Sequence, residues 1–491
     1  MQHTLLTGVT GLVGRYLVRD LLLAGVPLAL LVRPSRRASA RQRVDAALAY
    51  WEDQLGRTLP RPVVLEGDIS EPDLGLDART LRWVAERCDS LLHNAASLQF
   101  VSTGPESEPW RSNIHGTRNV LDVCEQAGIR KFHHVSTAYV CGLREGRILE
   151  SELDVGQTLS NDYEQSKVDA EKMVRGSTFL DEVTVYRPAI ITGDSKTGYT
   201  TTYHGFYAPV QLVWTIAQSL DADATGHREA VGRFPLHGYE TKNLVPVEWV
   251  SAVMAHIFTH PEHHGKTYHL TPRHKVPARL WGDVLEEACR FYSVRFEVDQ
   301  PDAHELTERE RTFRELIGVY ATYWRDDPTF DSTNTQTACP HLPCPHMDRD
   351  TLLMMARWAI ESNFNGPRAK PLPVPFDAYK VLEPLVEAGD FDAPSDLSVA
   401  LEVCGLGGGT WQLATRNGFA IAAELGSTGD EDLRITLDCD VLGRIVRGEL
   451  SAAGAFEGAQ IATSARRPGL NAQRVAATIL EALPQAVASV S

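Results

Sequence analysis

The chain has 491 residues, 43% apolar and 23% charged, with a net charge of −16. That length exceeds one ordinary domain and predicts two to four, in the composition range of water-soluble globular proteins. The acidic balance argues against a nucleic-acid-binding surface, and eight cysteines in so long a chain fit reduced thiols rather than a disulfide scaffold.

An apolar run over 4–7 predicts a first strand. Gly8, Gly11 and Gly14 follow in a G-x-x-G-x-x-G pattern, and Leu17, Val18, Leu21 and Leu22 mark the inner face of a helix that Gly25 ends. A second strand is predicted over 28–32. A βαβ unit of this kind sets its turn at a helix N-terminus, where a pyrophosphate can be received. Gly8, Thr10, Gly11, Leu12, Val13 and Gly14 are the candidate phosphate-binding residues, since a Cβ in such a turn blocks backbone approach. The apolar stretch 21–32 contains Gly25 and Pro27 and is too short to span a bilayer. The first residues enter a strand at once, so the expectation is a cytoplasmic protein with no targeting segment and no membrane span.

Further strands are predicted over 62–66, 90–93, 131–135 and 183–186, alternating with helices over 40–55, 78–87, 110–127 and 162–175. Alternation predicts an α/β fold with a doubly wound parallel sheet that binds ligands at the carboxyl ends of its strands. From 199 to about 358 the pattern loosens into a substrate lobe, giving a first unit over 1–365. A linker rich in Pro and Gly over 366–378 leads to a separate α+β domain over 379–491. There a strand over 411–415, the turn Arg416-Asn417-Gly418 and a strand over 419–425 read as a hairpin. An alternating strand over 433–437 and amphipathic helices over 441–446 and 472–483 complete that domain.

Where NAD-selecting units carry an acidic residue, this chain has Arg33, Pro34, Ser35, Arg36 and Arg37. Guanidinium groups suit a 2′-phosphate, so NADPH is the expected cofactor, with Arg33 and Arg36 as its candidate ligands. Asp68 and Ile69 end the third strand; Asp68 either accepts from the adenine amino group or caps the next helix. Tyr163 and Lys167 lie four apart, on one face of a predicted helix. An ammonium beside a phenol favours phenolate and makes the tyrosine a better proton donor. Thr137, at the end of the 131–135 strand, offers a hydroxyl to orient a carbonyl. Tyr199, Tyr203, His204 and Phe206 line either an acyl entrance or the core of the lobe. Cys339, His341, Cys344 and His346 are zinc-ligand types, but the prolines between them extend the loop and point alternate side chains apart. A packing role is expected there, with no metal.

The glycine turn, Asn94-Ala95-Ala96, Asn113, Ser136-Thr137, Tyr163-x-x-x-Lys167 and Arg187-Pro188 stand in the order found in the extended short-chain dehydrogenase/reductases, which the chain resembles over about 1–360. It is most similar to the thioester-reductase and fatty-acyl-reductase (male-sterility-like) branch, through Leu31-Val32-Arg33, Gly67-Asp68-Ile69, His134-Val135-Ser136-Thr137-Ala138-Tyr139-Val140, and Gly193-Asp194-Ser195. The resemblance implies catalytic roles for Thr137, Tyr163 and Lys167, with Tyr163 as proton donor and Lys167 lowering its pKa and holding the nicotinamide ribose. It also implies cofactor contacts from Asn94, Ala95, Ala96, Asn113, Ser136, Arg187, Pro188 and Ile190, and substrate contact from Ser97. The implied reaction takes a hydrophobic acyl thioester to an aldehyde, and in the longer course to an alcohol. No adenylation or carrier domain precedes the unit in this sequence, so the thioester is expected as acyl-CoA or on a separate acyl carrier protein. Dehydrogenation of a lipid or steroid-like alcohol is the alternative enzyme reading, and a non-catalytic NADP-binding sensor or lipid carrier is the other. The last domain resembles the sterol-carrier-protein fold through Gly407-Gly408-Gly409-Thr410-Trp411, the 433–437 strand and Val441 to Gly448. That implies lipid binding, with docking as the competing role.

Overall fold

The computed structural model describes residues 2–218, 232–290, 294–299, 302, 304–365, 374, 376–388, 391 and 394–490. The expected linker falls mostly outside these residues.

Strands β1 (His3–Thr7) and β2 (Leu28–Val32) are buried along their whole length, which is why both read as unbroken runs rather than alternations. Helix α1 (Leu12–Leu23) joins them and turns Tyr16, Leu17, Val18 and Leu21 inward. Then follow α2 (Ala40–Leu55), β3 (Val63–Glu66), α3 (Ala78–Arg87), β4 (Cys88–His93), α4 (Thr117–Ala127), β5 (Lys131–Val135), α5 (Asp162–Gly176), β6 (Glu182–Pro188) and β7 (Thr267–Leu270). The helix expected over 110–127 opens instead with a π-helical turn, Arg111–Gly116, before α4. The seven strands form one parallel sheet in the order β7-β6-β5-β4-β1-β2-β3. The order reverses between β1 and β4, so a crevice opens at the carboxyl ends of those two strands.

The lobe is built from α6 (Tyr207–Gln218), α8 (Ala278–Cys289) and α9 (Arg349–Glu361), whose Val210, Val213, Leu285, Leu352 and Met355 share a core. Between α6 and α8 in sequence, α7 (Val247–Thr259) covers the other face of the sheet, placing Val250, Val253 and Met254 in the same core as Leu17 and Leu21.

The C-terminal unit begins with α10 (Ala378–Glu387) and carries β8 (Leu397–Cys404), β9 (Gly409–Arg416), β10 (Phe419–Leu425), β11 (Leu433–Asp438), α11 (Cys439–Val446), β12 (Ile461–Ala465) and α12 (Ala472–Val490). Its sheet runs β10-β9-β8-β11-β12, antiparallel except for the β8–β11 pair. Asn417 and Gly418, with φ of 52° and 82°, form the tight β9–β10 turn that the Asn-Gly pair predicts. Trp411, Leu413, Ile435, Leu442, Ile479, Leu480 and Leu483 fill the layer between sheet and helices. The unit docks on the α2–α3 side of the reductase-like sheet: Trp83 Nε1 donates to Leu425 O at 2.9 Å, and Arg87 pairs with Glu424. Among the described residues no helix is long and apolar enough to cross a membrane.

Candidate active site

At the strand reversal the chain closes on itself tightly. Gly8 has φ +71°, and a Cβ there would lie 2.6 Å from Ala95 N. Asn94 Nδ2 donates to Gly8 O at 3.1 Å, while the amides of Asn94 and Ala95 both donate to Thr7 Oγ1 at 3.2 Å. The glycine turn and the 94–96 segment are thereby one rigid edge. A cavity of about 680 Å³ runs from this edge across the ends of β2, β3, β5 and β6 into the lobe.

One wall is the turn itself, with Gly8, Thr10, Gly11, Leu12 and Val13, together with Arg33, Asp68, Ile69, Asn94, Ala95 and Ala96. Thr137, Tyr163 and Lys167 stand near the middle with Ser136, Pro188 and Ile190. The far wall is largely apolar and aromatic: Leu98, Phe100, Pro209, Trp281, Tyr323 and Trp324, with His204 beside them.

Lys167 is 3% exposed, and its Nζ donates to Val135 O at 2.7 Å. Burial draws its ammonium down to about 8, against the pull of Glu171 one turn along the helix. Burial also pushes the Tyr163 phenol up to about 12, and a hydrogen bond with the Thr137 hydroxyl works the other way. The three residues are together, but the free protein does not show the expected lowering of the tyrosine. Desolvation outweighs everything else acting on that phenol.

The glycine-turn end of the cavity carries a residue that sequence reasoning missed. Arg43, on α2, donates from Nη2 to Thr10 Oγ1 at 2.9 Å and from Nη1 to the carbonyl of Arg33. Burial together with the charges of Arg33 and Arg15 holds the Arg43 guanidinium below its ordinary value. The neighbouring carboxylate, Asp68, already accepts from Ser70 N and Oγ at 3.0 and 2.9 Å and from Arg33 Nη1 at 3.4 Å. Burial works to raise the Asp68 carboxyl, and these partners outweigh it and bring it down. Guanidinium groups thus crowd beside the glycine turn at this end of the cavity. A signal for Arg43 existed in the sequence: basic residues in the first turn of a helix oppose its dipole and need another reason to be there.

Several expected contacts lie elsewhere. Arg187 is 1% exposed and turned away from the cavity, paired with Glu171 through Nη2–Oε1 at 2.6 Å and Nε–Oε2 at 3.1 Å. Asn113 is buried and joins Ser97 to α5, accepting from Ser97 N at 2.8 Å and donating to Ser166 Oγ at 2.8 Å. Ser97 enters that link through its backbone alone, its hydroxyl accepts from Gln99 N at 3.4 Å, and the residue does not line the cavity. Gly14 packs beneath the turn, where a Cβ would meet Gly8 O at 2.1 Å, and Arg36 is on an exposed loop. Of the aromatic entrance only His204 reaches the cavity. Tyr199 stacks on Tyr50 at 4.6 Å, Tyr203 bonds Ser362 Oγ at 3.0 Å, and Phe206 backs Trp281 at 5.8 Å, so these three pack. His341 meets His256 while His346 meets His274, so the Cys-His loop splays its side chains. Among the described residues no group of three or more such ligands is arranged for a metal.

Lys242 and Tyr323 of the lobe, with Tyr139 from the turn after β5, reach the cavity over a buried network. Asp327 accepts from Lys242 Nζ at 2.8 Å and from Tyr139 OH at 2.6 Å, and Tyr323 OH donates to Glu164 Oε1 at 2.9 Å.

A family model described as male sterility protein, of the NAD-binding type, matches residues 6–254. The chain belongs to the male sterility protein family. A nicotinamide dinucleotide is accordingly the cofactor class of this reductase fold. Aldehyde reductase lnaA of Aspergillus flavus is 27% identical over 69% of the chain and 34% of its own length. A non-canonical nonribosomal peptide synthetase of Aspergillus hancockii, hkm10, is 26% identical over 71% of the chain and 35% of its own length. The chain thus spans about a third of the length of these curated relatives. Among solved structures, the terminal R domain of the myxalamid PKS-NRPS pathway superposes with a TM-score of 0.59 at 25% identity, covering 74% of this chain and 92% of that one. A reductase domain of a Mycobacterium tuberculosis nonribosomal peptide synthetase shares the fold, with a TM-score of 0.53 at 23% identity over 73% of this chain and 92% of that one.

Proposed function

We propose that the chain is an NADPH-dependent reductase of a hydrophobic acyl thioester, delivered on a separate acyl carrier protein or as acyl-CoA, and that its first product is the aldehyde. The observation that carries this reading is a single cavity that joins the glycine turn and its arginines, the Thr137–Tyr163–Lys167 group, and an apolar wall. The cofactor, when bound, supplies a hydride. Gly8, Gly11 and Leu12 would hold its pyrophosphate, and Arg33 with Arg43 its 2′-phosphate.

The Thr137 and Tyr163 hydroxyls, hydrogen-bonded to each other, would both meet the carbonyl oxygen of the substrate. Tyr163 would give that oxygen its proton, and Lys167, held by Val135 O, would orient the ribose and favour proton release. Leu98, Phe100, Trp281 and Trp324 would take the acyl chain out of water. The similarity to an aldehyde reductase supports a second reading, reduction of a free aldehyde or ketone by the same residues. For the C-terminal unit, a core filled by side chains such as Trp411 favours docking over lipid carriage.

The test is NADPH oxidation by the purified full chain with acyl-CoAs, acyl groups loaded on a carrier protein, and free aldehydes. Thioester turnover that vanishes in Tyr163→Phe is the expected result. Turnover of aldehydes or ketones alone would reject the thioester reading. For the cofactor, Arg33→Ala should weaken NADPH far more than NADH, and equal losses would reject NADPH selection.

A further inference from the structure

We propose that the C-terminal unit is part of the cofactor site: it fixes the first turn of α2 and so sets where Arg43 meets the 2′-phosphate, making Arg41 and Tyr379 positioning residues. This rests on the reading of Arg33 and Arg43 as phosphate ligands.

Helix α2 starts from Ser39, whose side chain caps Gln42 N at 3.3 Å, and continues unbroken to Leu55. No acidic residue lies in its first turn. Arg41 and Arg43 stand there instead, against the helix dipole. Two residues along a helix is a rotation of about 200°, so the two side chains leave in nearly opposite directions. Arg43 goes to Thr10 and the cofactor wall. Arg41 goes to the C-terminal unit, where its guanidinium carbon lies 3.2 Å from the centroid of the Tyr379 ring and its Nη1 3.4 Å from Asp377 Oδ1. Asp377 also accepts from Tyr379 N at 3.2 Å, so carboxylate and ring face Arg41 as one unit.

The contact continues along the helix. The amide of Gly407 hydrogen-bonds to Asp45, which is 6% exposed. Arg61, 5% exposed, bridges Gly405 O at 2.8 Å and Glu52 Oε2 at 3.1 Å. Three points spaced over α2, at Arg41, Asp45 and Glu52, are thus tied directly or through Arg61 to residues 377–407. A helix held at three points moves as a body, and Arg43 moves with it. The carboxylate of Asp377 and the ring of Tyr379 also supply the compensation that a basic first turn lacks. Without them the first turn frays, and Arg43 loses the orientation that a phosphate requires.

The experiment measures Kd for NADPH and NADH on the full chain by cofactor fluorescence, with kcat at saturating NADPH. Arg41→Ala should raise Kd for NADPH about 5-fold or more while Kd for NADH and kcat change less than about 2-fold. Tyr379→Ala should do the same, and Tyr379→Phe, which keeps the ring, should behave as wild type. Should Tyr379→Ala not fold, Arg41→Ala, on a half-buried helix face, decides alone. Losses shared equally by both cofactors, or none for either, would overturn the inference. Arg43→Ala in the same titrations separates the two levels. If it abolishes the NADPH preference and Arg41→Ala leaves that preference intact, only the positioning role falls. If wild type binds NADH as tightly as NADPH, the phosphate reading fails and takes the inference with it.

Discussion

Raising the pH through about 8 should shut the site down. Burial brings the Lys167 ammonium to about 8 and pushes the Tyr163 phenol to about 12, so lysine is first to lose its proton on alkaline titration. Between these values the phenol keeps its proton beside a neutral amine, and the cation proposed above to favour its release is gone. For one ionisation near 8, kcat/KM for NADPH falls about tenfold per pH unit above it, to roughly a tenth of its plateau near pH 9. The assay is initial-rate NADPH oxidation at saturating carbonyl substrate between about pH 6 and 10. Lys167→Arg keeps its charge throughout this range, so its alkaline limb should move beyond about pH 10 whatever plateau it retains. A profile flat to about pH 9.5, or a limb near 8 that survives in Lys167→Arg, refutes the assignment.

The same pKa displacement acts on stability, with a definite sign. The folded value, about 8, lies below the ordinary 10.5, so between them the unfolded chain binds more protons. Wild type should therefore gain about 3 kcal/mol on Lys167→Met as pH rises through that window, read from urea unfolding at its two ends. Arg187→Met should cost roughly 3 kcal/mol, the low end for a broken buried pair, because Arg175 Nη2 still reaches Glu171 Oε1 at 2.8 Å. A loss under about 1 kcal/mol in denaturant melts would contradict the structural role given to Arg187. Gly8→Ala forces a side chain into a φ of +71° with Cβ 2.6 Å from Ala95 N. It should abolish detectable cofactor binding in a fluorescence titration while circular dichroism stays native; wild-type affinity would show that the turn yields.

The sheet was legible because its strands are buried on both faces. The expected second and fifth strands match β2 and β5 at both ends, and Thr137, Tyr163 and Lys167, singled out by spacing on one helix and by one strand end, do line one cavity. Central strand β8 was missed although it was legible: over its eight residues Leu397, Val399, Leu401 and Val403 alternate with Ser398, Ala400 and Glu402, the period of a strand. The far wall was missed for a different reason. Lys242, Tyr323 and Trp324 come to Tyr163 from about 80 to 160 residues downstream, and nothing local to them marks a cavity. Arg187 misled because it precedes Pro188, which does line the cavity, yet its own side chain points to the opposite side of the strand. Tyr199 and Tyr203 could not be assigned between entrance and core because an aromatic run has the same composition whether it packs or binds.

The strand reversal also governs how a nascent chain must assemble. β1 lies between β2 and β4, with Leu5 and Leu6 fully buried, and pairs Thr4 with Ser90 across 86 positions. At about 5–20 residues per second, one edge of this apolar strand waits roughly 4–17 s for its second neighbour. During that wait the edge is open to pairing with other chains. The glycine turn is complete long before the cavity, whose wall at Trp324 emerges some hundred and sixty residues after Tyr163. Premature release would leave a sticky half-sheet rather than a weaker enzyme, so yield on expression should respond to translation rate more than to growth temperature.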